Sequence, residues 1–451
     1  MLFWIRLRSR SPRHFWPEFY CRYSQSFSTM PRPPTPSSKA PTEESEWRFR
    51  PIDAATEWIE DYRPGGLHPI HLGDTLGAER YKILRKLGYG SFSTVWLARD
   101  AQESRYVAIK VSVARASETN NELGIFEHLA RHRDQRGARS VMELLHSFDH
   151  EGPNGRHLCL VFPVMGPSAT TMERKFRTNP MRSGRYPLWI AKSMLKQLLL
   201  GLSFLHRNGV THTDIQPGNL LFSLPNIDSL PESDLKTDIT QPETISDPVQ
   251  RVDGEVDLWS PRYTAIPQPL TPLATVESGF TVRISDMGGA SLIAPASGTT
   301  PITPVALRAP ELILTKSWDM TIDIWSFGCL FFEFLTGTPL FVIGTWGLTD
   351  EEIDDDHLCQ LISALGPLPT DLCAQWPRYS SFYSEDGTEI VPPEVDTPPL
   401  ETFLKNKAPP EMDTEEVKAV GVLLRGILHY NPAQRPTAAD LLKDPWFEAI
   451  G

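Results

Sequence analysis

Cysteine is scarce. The 451-residue chain has five, Cys21, Cys159, Cys329, Cys359 and Cys373. They are widely spaced and form no C-x-x-C, so neither a zinc ribbon nor a disulfide framework is supported and an intracellular chain is expected. Basic residues are in deficit: 44 Lys and Arg against 56 Asp and Glu leave a net charge of −12. That balance argues against direct nucleic-acid binding and leaves basic partners open. Long apolar runs are missing as well. The richest stretch, Cys329 to Trp346, contains Glu333 and two glycines, and no membrane span is expected. The 29 glycines have no G-X-Y period, which excludes collagen, while 40% apolar and 22% charged residues exclude a wholly disordered chain. Proline, in contrast, is abundant. Its 41 residues cluster, so long irregular inserts are expected in a chain with enough length for two cores.

The first thirty residues carry Arg6, Arg8, Arg10, Arg13 and Arg22 against the single acid Glu18, with many serines. This is the composition of a mitochondrial transit peptide; a basic tail, or sequence ahead of a start at Met30, has the same composition. Residues 30–46 are rich in Pro, Ser, Thr and Glu and read as a linker. Order is expected to begin near Trp58 and Tyr62, beside the Gly65-Gly66 turn signal. From Tyr81 the runs YKILRKLG, STVWLARD and RYVAIKVSV read as a meander of strands. ETNNELGIFEHLA then spaces Leu123, Phe126 and Leu129 as a helix does. A long amphipathic helix is expected between Pro187 and Gly209, and a second through IDIWSFGCLFFEFLTG. Between them lie residues 223–280, 58 residues with eight prolines and ten acids against three bases, expected to be disordered. Strands first and helices after give an α+β protein of two lobes.

Several motifs carry chemistry. Leu87-Gly88-Tyr89-Gly90-Ser91-Phe92-Ser93-Thr94-Val95 falls between two expected strands, where backbone amides of a hairpin can approach phosphate oxygens; by itself it is an ordinary turn. Val107-Ala108-Ile109-Lys110 on the next strand adds a cation able to pair with nucleotide phosphates. In His212-Thr213-Asp214-Ile215-Gln216-Pro217-Gly218-Asn219, an Asp is followed five residues later by an Asn. This spacing puts a proton acceptor and a metal ligand on one loop. Ser285-Asp286-Met287-Gly288 places a carboxylate at a strand end, where Mg²⁺ could be held against phosphates. Arg308-Ala309-Pro310-Glu311, Asp323-Ile324-Trp325 and Asn431-Pro432-Ala433-Gln434-Arg435-Pro436 follow in order.

The ordered set resembles the eukaryotic protein kinases over residues 81–447 apart from the insert. Within them it is similar to the SR-protein-specific kinases, through EDYRPGGLHPIHLGD ahead of the first strand, RKLGYGSFSTVWLARD, His212-Thr213-Asp214, and a long insertion before Asp286. The resemblance implies a bilobal kinase fold with a β-rich N-lobe (58–165) and a helical C-lobe (166–222 and 281–449), preceded by a disordered extension (1–57). It implies a monomeric serine/threonine kinase of cytoplasm and nucleus that uses ATP and Mg²⁺ and acts on basic proteins such as Arg/Ser-rich splicing factors. Leu87, Gly88, Gly90, Val95 and Ala108 would cover the nucleotide, and Lys110 would grip its phosphates. Lys110 would be oriented by Glu122, or by Glu118 one helical turn earlier. Phe162 would be the gatekeeper, with Pro163 and Met165 reading adenine. Asp214 would take the proton of the substrate hydroxyl, while Asn219 and Asp286 hold Mg²⁺. Arg435 would form a buried pair with Glu311, and Asp323 would brace the catalytic loop.

Three departures stand out. The lysine normally two residues after the catalytic Asp is Gln216, and the threonine normally seven residues before the Glu of the APE motif is Pro304. Exchanging one cation for a neutral donor at such a site is worth about 2–4 kcal/mol of transition-state stabilisation, which motivates a second reading as a nucleotide-binding scaffold. A third reading, a small-molecule kinase of the aminoglycoside or choline type, shares the H-x-D-x-x-x-x-N loop but not the later motifs. Thr213 replaces an arginine that would anchor a phosphorylated activation loop, so activity independent of loop phosphorylation is expected. Six acids in the seven residues Asp350 to Asp356 are expected to be either a solvated face or a dock for basic substrates.

Overall fold

The runs from Tyr81 onward form an antiparallel sheet with strand order β1-β2-β3-β4-β6-β5. Its strands are β1 (Thr75–Leu76), β2 (Tyr81–Gly90), β3 (Ser93–Asp100), β4 (Arg105–Ser112), β5 (His146–Gly152) and β6 (Gly155–Pro163). The computed structural model describes residues 35–448 except 120, 178–183, 242, 278, 293–301, 385 and 392–396. The transit-peptide reading of residues 1–30 and the Arg8–Ser11 segment fall outside these residues. Two irregularities in the β2–β3 register, between Ile83 and Arg85 and between Lys86 and Gly88, turn the Lys86 side chain inward, where it pairs with Glu57.

A short helix α1 (Ala114–Ser117) and then α2 (Glu122–Ala130) follow β4. After β6 come α3 (Ala169–Arg177) and α4 (Leu188–Arg207). Pro187 precedes the first residue of α4, and Gly209, at φ +71°, turns the chain away after it. By length and mean hydropathy (1.3) α4 could cross a bilayer, but 61% of its most apolar 18-residue stretch is buried inside the fold. It is a core helix, packed on α7 (Thr321–Thr336), whose end is closed by Gly337 in the left-handed region. Around α4 lie four short strands in two pairs: β7 (Val210–Thr211) with β10 (Ser291–Leu292), and β8 (Leu220–Phe222) with β9 (Val282–Ile284). The lower lobe also contains α6 (Pro310–Leu314) and α8 (Asp350–Leu365).

The insert 223–280 departs from expectation. It is folded onto the upper lobe, and so is the chain from about residue 47 onward. Its ends are drawn together where Ser223 N–H donates to the Thr281 carbonyl at 2.8 Å. Within it, α5 (Glu232–Leu235) lies against β2: Arg85 Nε donates to the Leu235 carbonyl at 2.7 Å, and Thr237 N–H to the Leu84 carbonyl at 3.0 Å. Ile227, Leu235 and Leu270 are buried with Leu84, Leu97 and Tyr106. Ahead of the sheet, Phe49, Ile59, Tyr62 and Leu67 form a cluster with Val113. The physical reason lies in the sheet. β3 and β4 are apolar on both faces. On one, Trp96, Val107, Ile109 and Val111 are buried with Ile70, Leu76 and, from the insert, Ala265. On the other, the face that carries Ala108, the insert's Ile227, Leu235 and Leu270 cover Leu84, Leu97 and Tyr106. The proline-rich segments supply these covers with little regular secondary structure, the short α5 apart.

Truncating a side chain in this cover tests it. Leu235→Ala is expected to weaken insert docking by about 2–5 kcal/mol, read as protease cleavage within residues 223–280 that the unaltered chain resists.

Candidate active site

Lys110 stands on β4, registered against Val95 on β3 and Leu160 on β6. Its ammonium lies 2.8 Å from both carboxylate oxygens of Glu122 and 2.7 Å from Asp286 Oδ1. Glu122 opens α2, and that helix is fixed by Phe126 against Phe162, with ring centroids 5.1 Å apart. The choice between Glu122 and Glu118 is thereby settled in favour of Glu122; Glu118 follows α1. Burial alone would discharge Lys110. The two adjacent carboxylates overcome that cost and hold its pKa above the ordinary lysine value. Asp286 is likewise drawn down: burial opposes its charge, but Lys110 and the Gly288 N–H outweigh it.

Asp214 follows a buried histidine and a strained threonine. Thr213 has φ +68°, and the backbone N–H groups of His212 and Thr213 both donate to Asp323, at 2.8 and 2.9 Å. The Asp323 Oδ2 that accepts from His212 N–H also meets His206 Nε2 at 2.9 Å. One buried aspartate on α7 thus sets the loop that carries Asp214. Gln216 Nε2 donates to Asp214 Oδ1 at 2.7 Å, and Asn219 Nδ2 donates to Asp214 Oδ2 at 2.8 Å. Burial pushes the Asp214 carboxyl above the ordinary aspartate range, against these amides and His212. Asn219 and Asp286, far apart in sequence, become neighbours through the β8–β9 pairing, in which Leu220 faces Ile284 and Ser285 N–H donates to the Asn219 carbonyl at 2.8 Å. Asp286 itself has φ +64°, a conformation that aspartate tolerates better than most residues.

Between these groups lies a cleft of about 510 Å³. Leu87, Gly88, Gly90, Val95 and Ala108 line it from the sheet; Phe162, Pro163 and Met165 from the strand that joins the lobes; Lys110, Glu122, Asn219 and Asp286 from within. A Cβ at Gly88 or Gly90 would meet no heavy atom within 4 Å. Their φ values are negative, so these glycines leave room rather than relax the backbone. Asp214 and Gln216 are joined to this wall through Asn219.

Sequence reasoning missed Thr303. Its hydroxyl donates to the Thr213 carbonyl, while Thr213 Oγ1 donates to the Gly289 carbonyl at 2.9 Å. Thr303 adjoins Pro304, and nothing in its spacing marks it. Residues 293–301 of the same segment lie outside the described residues. The Glu311–Arg435 pair forms as expected, at 2.5 and 2.7 Å. The acidic run is the first two turns of α8, where its charges favour the positive end of the helix. Thr349 and Glu352 form a capping box there. Asp355 is buried on Trp376 Nε1 (2.6 Å) and Arg378 (2.9 Å), so it is structural. Asp350 and Glu351 are exposed.

This set, an ammonium between two carboxylates beside an Asp–Asn loop under a glycine strand, is that of a phosphoryl-transfer enzyme. A description of the protein kinase domain matches residues 81–235 and 273–447, leaving out the middle of the insert. The chain belongs to the protein kinase family. It is an SR-protein-kinase-like serine/threonine kinase. The serine/threonine-protein kinase SRPK of Physarum polycephalum is 31% identical over 415 residues, spanning 88% of this chain and 93% of that protein. The protein kinase dsk1 of Schizosaccharomyces pombe is 28% identical, with 87% and 85% covered. The crystal structure of the PF14_0431 kinase domain shares the fold, with a TM-score of 0.58 at 22% identity over 84% of this chain and 98% of that one.

Removing the Asp323 carboxylate strips three donors of their acceptor. Asp323→Ala is expected to lower the unfolding free energy by about 3–5 kcal/mol, measured by urea titration.

Proposed function

We propose that this kinase transfers the γ-phosphoryl group of ATP, with Mg²⁺, to serine and threonine hydroxyls of basic, Arg/Ser-rich proteins. The observation that carries the reading is the single cleft in which Lys110, Glu122 and Asp286 meet within 2.8 Å. The residues fit the nucleotide. Space for phosphates lies open beside Gly88 and Gly90, a fixed cation stands at that end, and the apolar wall of Leu87, Val95, Ala108 and Met165 suits a purine. Among the described residues no cluster of three or more His, Cys, Asp or Glu is arranged to hold a metal. Asn219 and Asp286 would therefore hold Mg²⁺ as two ligands, the usual protein share when phosphates and water provide the rest. The ion supplies neutralisation of phosphate charge.

The chain's own residues account for the remaining work. Lys110, kept charged by Glu122, positions phosphates. Asp214, oriented by Asn219 and Gln216, accepts the proton of the attacking hydroxyl. Gln216 stands where a cation would stabilise the transferring group, so it orients Asp214 through a neutral hydrogen bond. The hydroxyls of Thr213 and Thr303 pin the segment after Asp286 to the catalytic loop, which supports activity without a phosphate on that segment. Basic substrates are supported by the exposed Asp350 and Glu351 on α8, with Asp354 half-buried and 3.8 Å from Arg308.

The test is phosphate transfer from Mg·ATP to an Arg/Ser peptide and to an acidic Ser peptide. The basic peptide is expected to be favoured, and Asp350→Lys with Glu351→Lys to raise its KM severalfold. Asp214→Asn is expected to abolish transfer while ATP binding persists. Equal turnover of both peptides, unaffected by the charge reversal, would overturn the substrate class.

A pH profile tests Asp214 separately. It works ionised, and its carboxyl lies above the ordinary range, so kcat/KM is expected to fall on the acid side at a higher pH than for an ordinary aspartate. Gln216→Lys adds a cation that favours the carboxylate, and is expected to move that limb to lower pH. An unmoved limb would show that another group governs it.

A further inference from the structure

The C-terminal end of the insert reaches the nucleotide cleft. Pro267, Pro269 and Leu270 line it on the side of Leu87. The segment is held firmly. Between two prolines, Gln268 has the one backbone N–H of the Pro267–Pro269 stretch, and it donates to the Lys86 carbonyl at 2.9 Å, one residue before Leu87. The Gln268 side-chain oxygen accepts from Thr237 Oγ1 at 3.1 Å. Leu270 is 2% exposed and packs with Leu84 and Leu97 of the sheet, in a cluster that Val164 and Leu224 complete. A few residues on, the buried Ala274 accepts from Lys175 Nζ of α3 at 3.3 Å. The insert therefore crosses from the glycine strand to the helix that follows the inter-lobe connection.

The cleft is consequently asymmetric. Its charged end holds Lys110 and Asp286 beneath the open space at Gly88 and Gly90; its other end is apolar and lined by Pro267, Pro269 and Leu270 of the insert. A nucleotide with its phosphates at the charged end has its base and ribose toward Pro267–Leu270.

We infer that Pro267, Pro269 and Leu270 form a specificity-determining wall, which admits unsubstituted purine nucleoside triphosphates and excludes those carrying a bulky group on the ribose. The inference rests on the cleft being the ATP site. Prolines suit such a wall because their fixed φ lets it resist displacement by a ligand.

The experiment compares binding of Mg·ATP and of its 2′/3′-O-(N-methylanthraniloyl) derivative to the full chain, unaltered and with Leu270→Ala or Pro269→Gly. Leu258→Ala, on an exposed part of the insert, is the control. The ratio of the derivative's Kd to that of ATP is expected to fall roughly tenfold in both wall variants, the scale on which small apolar pockets discriminate, and to stay put in the control. Pro269 is exposed, so its variant carries the test if Leu270→Ala loosens the fold. An unchanged ratio in Pro269→Gly, with ATP still bound, would overturn the wall alone. Failure of the unaltered chain to bind either nucleotide would overturn the ATP site and the wall with it.

Discussion

The structure depends on keeping one ammonium charged where there is little water. Lys110 is nearly enclosed, and an unpaired charge at that depth would be discharged rather than tolerated. Glu122 from α2 and Asp286 from beyond β9 prevent this, and in doing so they tie three distant stretches of chain to one point. The α2 helix can sit in only one rotation if Glu122 is to reach Lys110, and Phe126 on the same helix then lands on Phe162. The lower lobe has a corresponding point in Asp323, whose carboxylate holds two successive backbone amides and a histidine ring. Between these two carboxylate-centred anchors the cleft geometry has little freedom left.

The upper lobe raises a different requirement. A sheet with two apolar faces cannot leave one in water, and helices cover only one of them here. The N-terminal approach, with Ala265 of the insert, closes the other face, and Ile227, Leu235 and Leu270 of the insert extend the cover on the first; their prolines are no obstacle because a cover needs buried side chains, not a hydrogen-bond ladder. The buried Glu57–Lys86 pair marks where this cover is riveted to the glycine strand. What removing one member of such a pair costs is the penalty of leaving its partner charged and buried.

Much of this was legible in the sequence. Local period placed β2, β3, β4, α4 and α7 within a residue or two, since each has enough apolar spacing and a glycine, proline or polar residue at its ends to declare itself. Lys110, Asn219 and Asp286 were legible from motif spacing, and Glu122, with Glu118 as its alternative, from the resemblance to protein kinases; Lys110, Glu122, Asn219 and Asp286 line one space. The insert was misread because composition reports average hydrophobicity, whereas its docking depends on a few scattered side chains, Ile227, Leu235 and Leu270. A signal was present for part of it: the continuous apolar run in RYVAIKVSV implies burial on both faces and so a second covering layer, to which the insert adds Ala265. Thr303 was invisible because its bond is to a backbone carbonyl brought near only by the fold. Asp355 was grouped with its neighbours because a run of like charges does not reveal which member turns inward.

The drawing together of Ser223 and Thr281 has a thermodynamic corollary. Pairing β8 with β9 requires closing the whole insert as a loop, and the entropy lost grows only with the logarithm of loop length, about 0.6 kcal/mol for each doubling. Residues added to or removed from its solvent-facing stretches therefore disturb the juxtaposition of Asn219 and Asp286 very little. The contacts of this segment are concentrated in the handful of positions that touch the sheet, so the length between them can change at small cost.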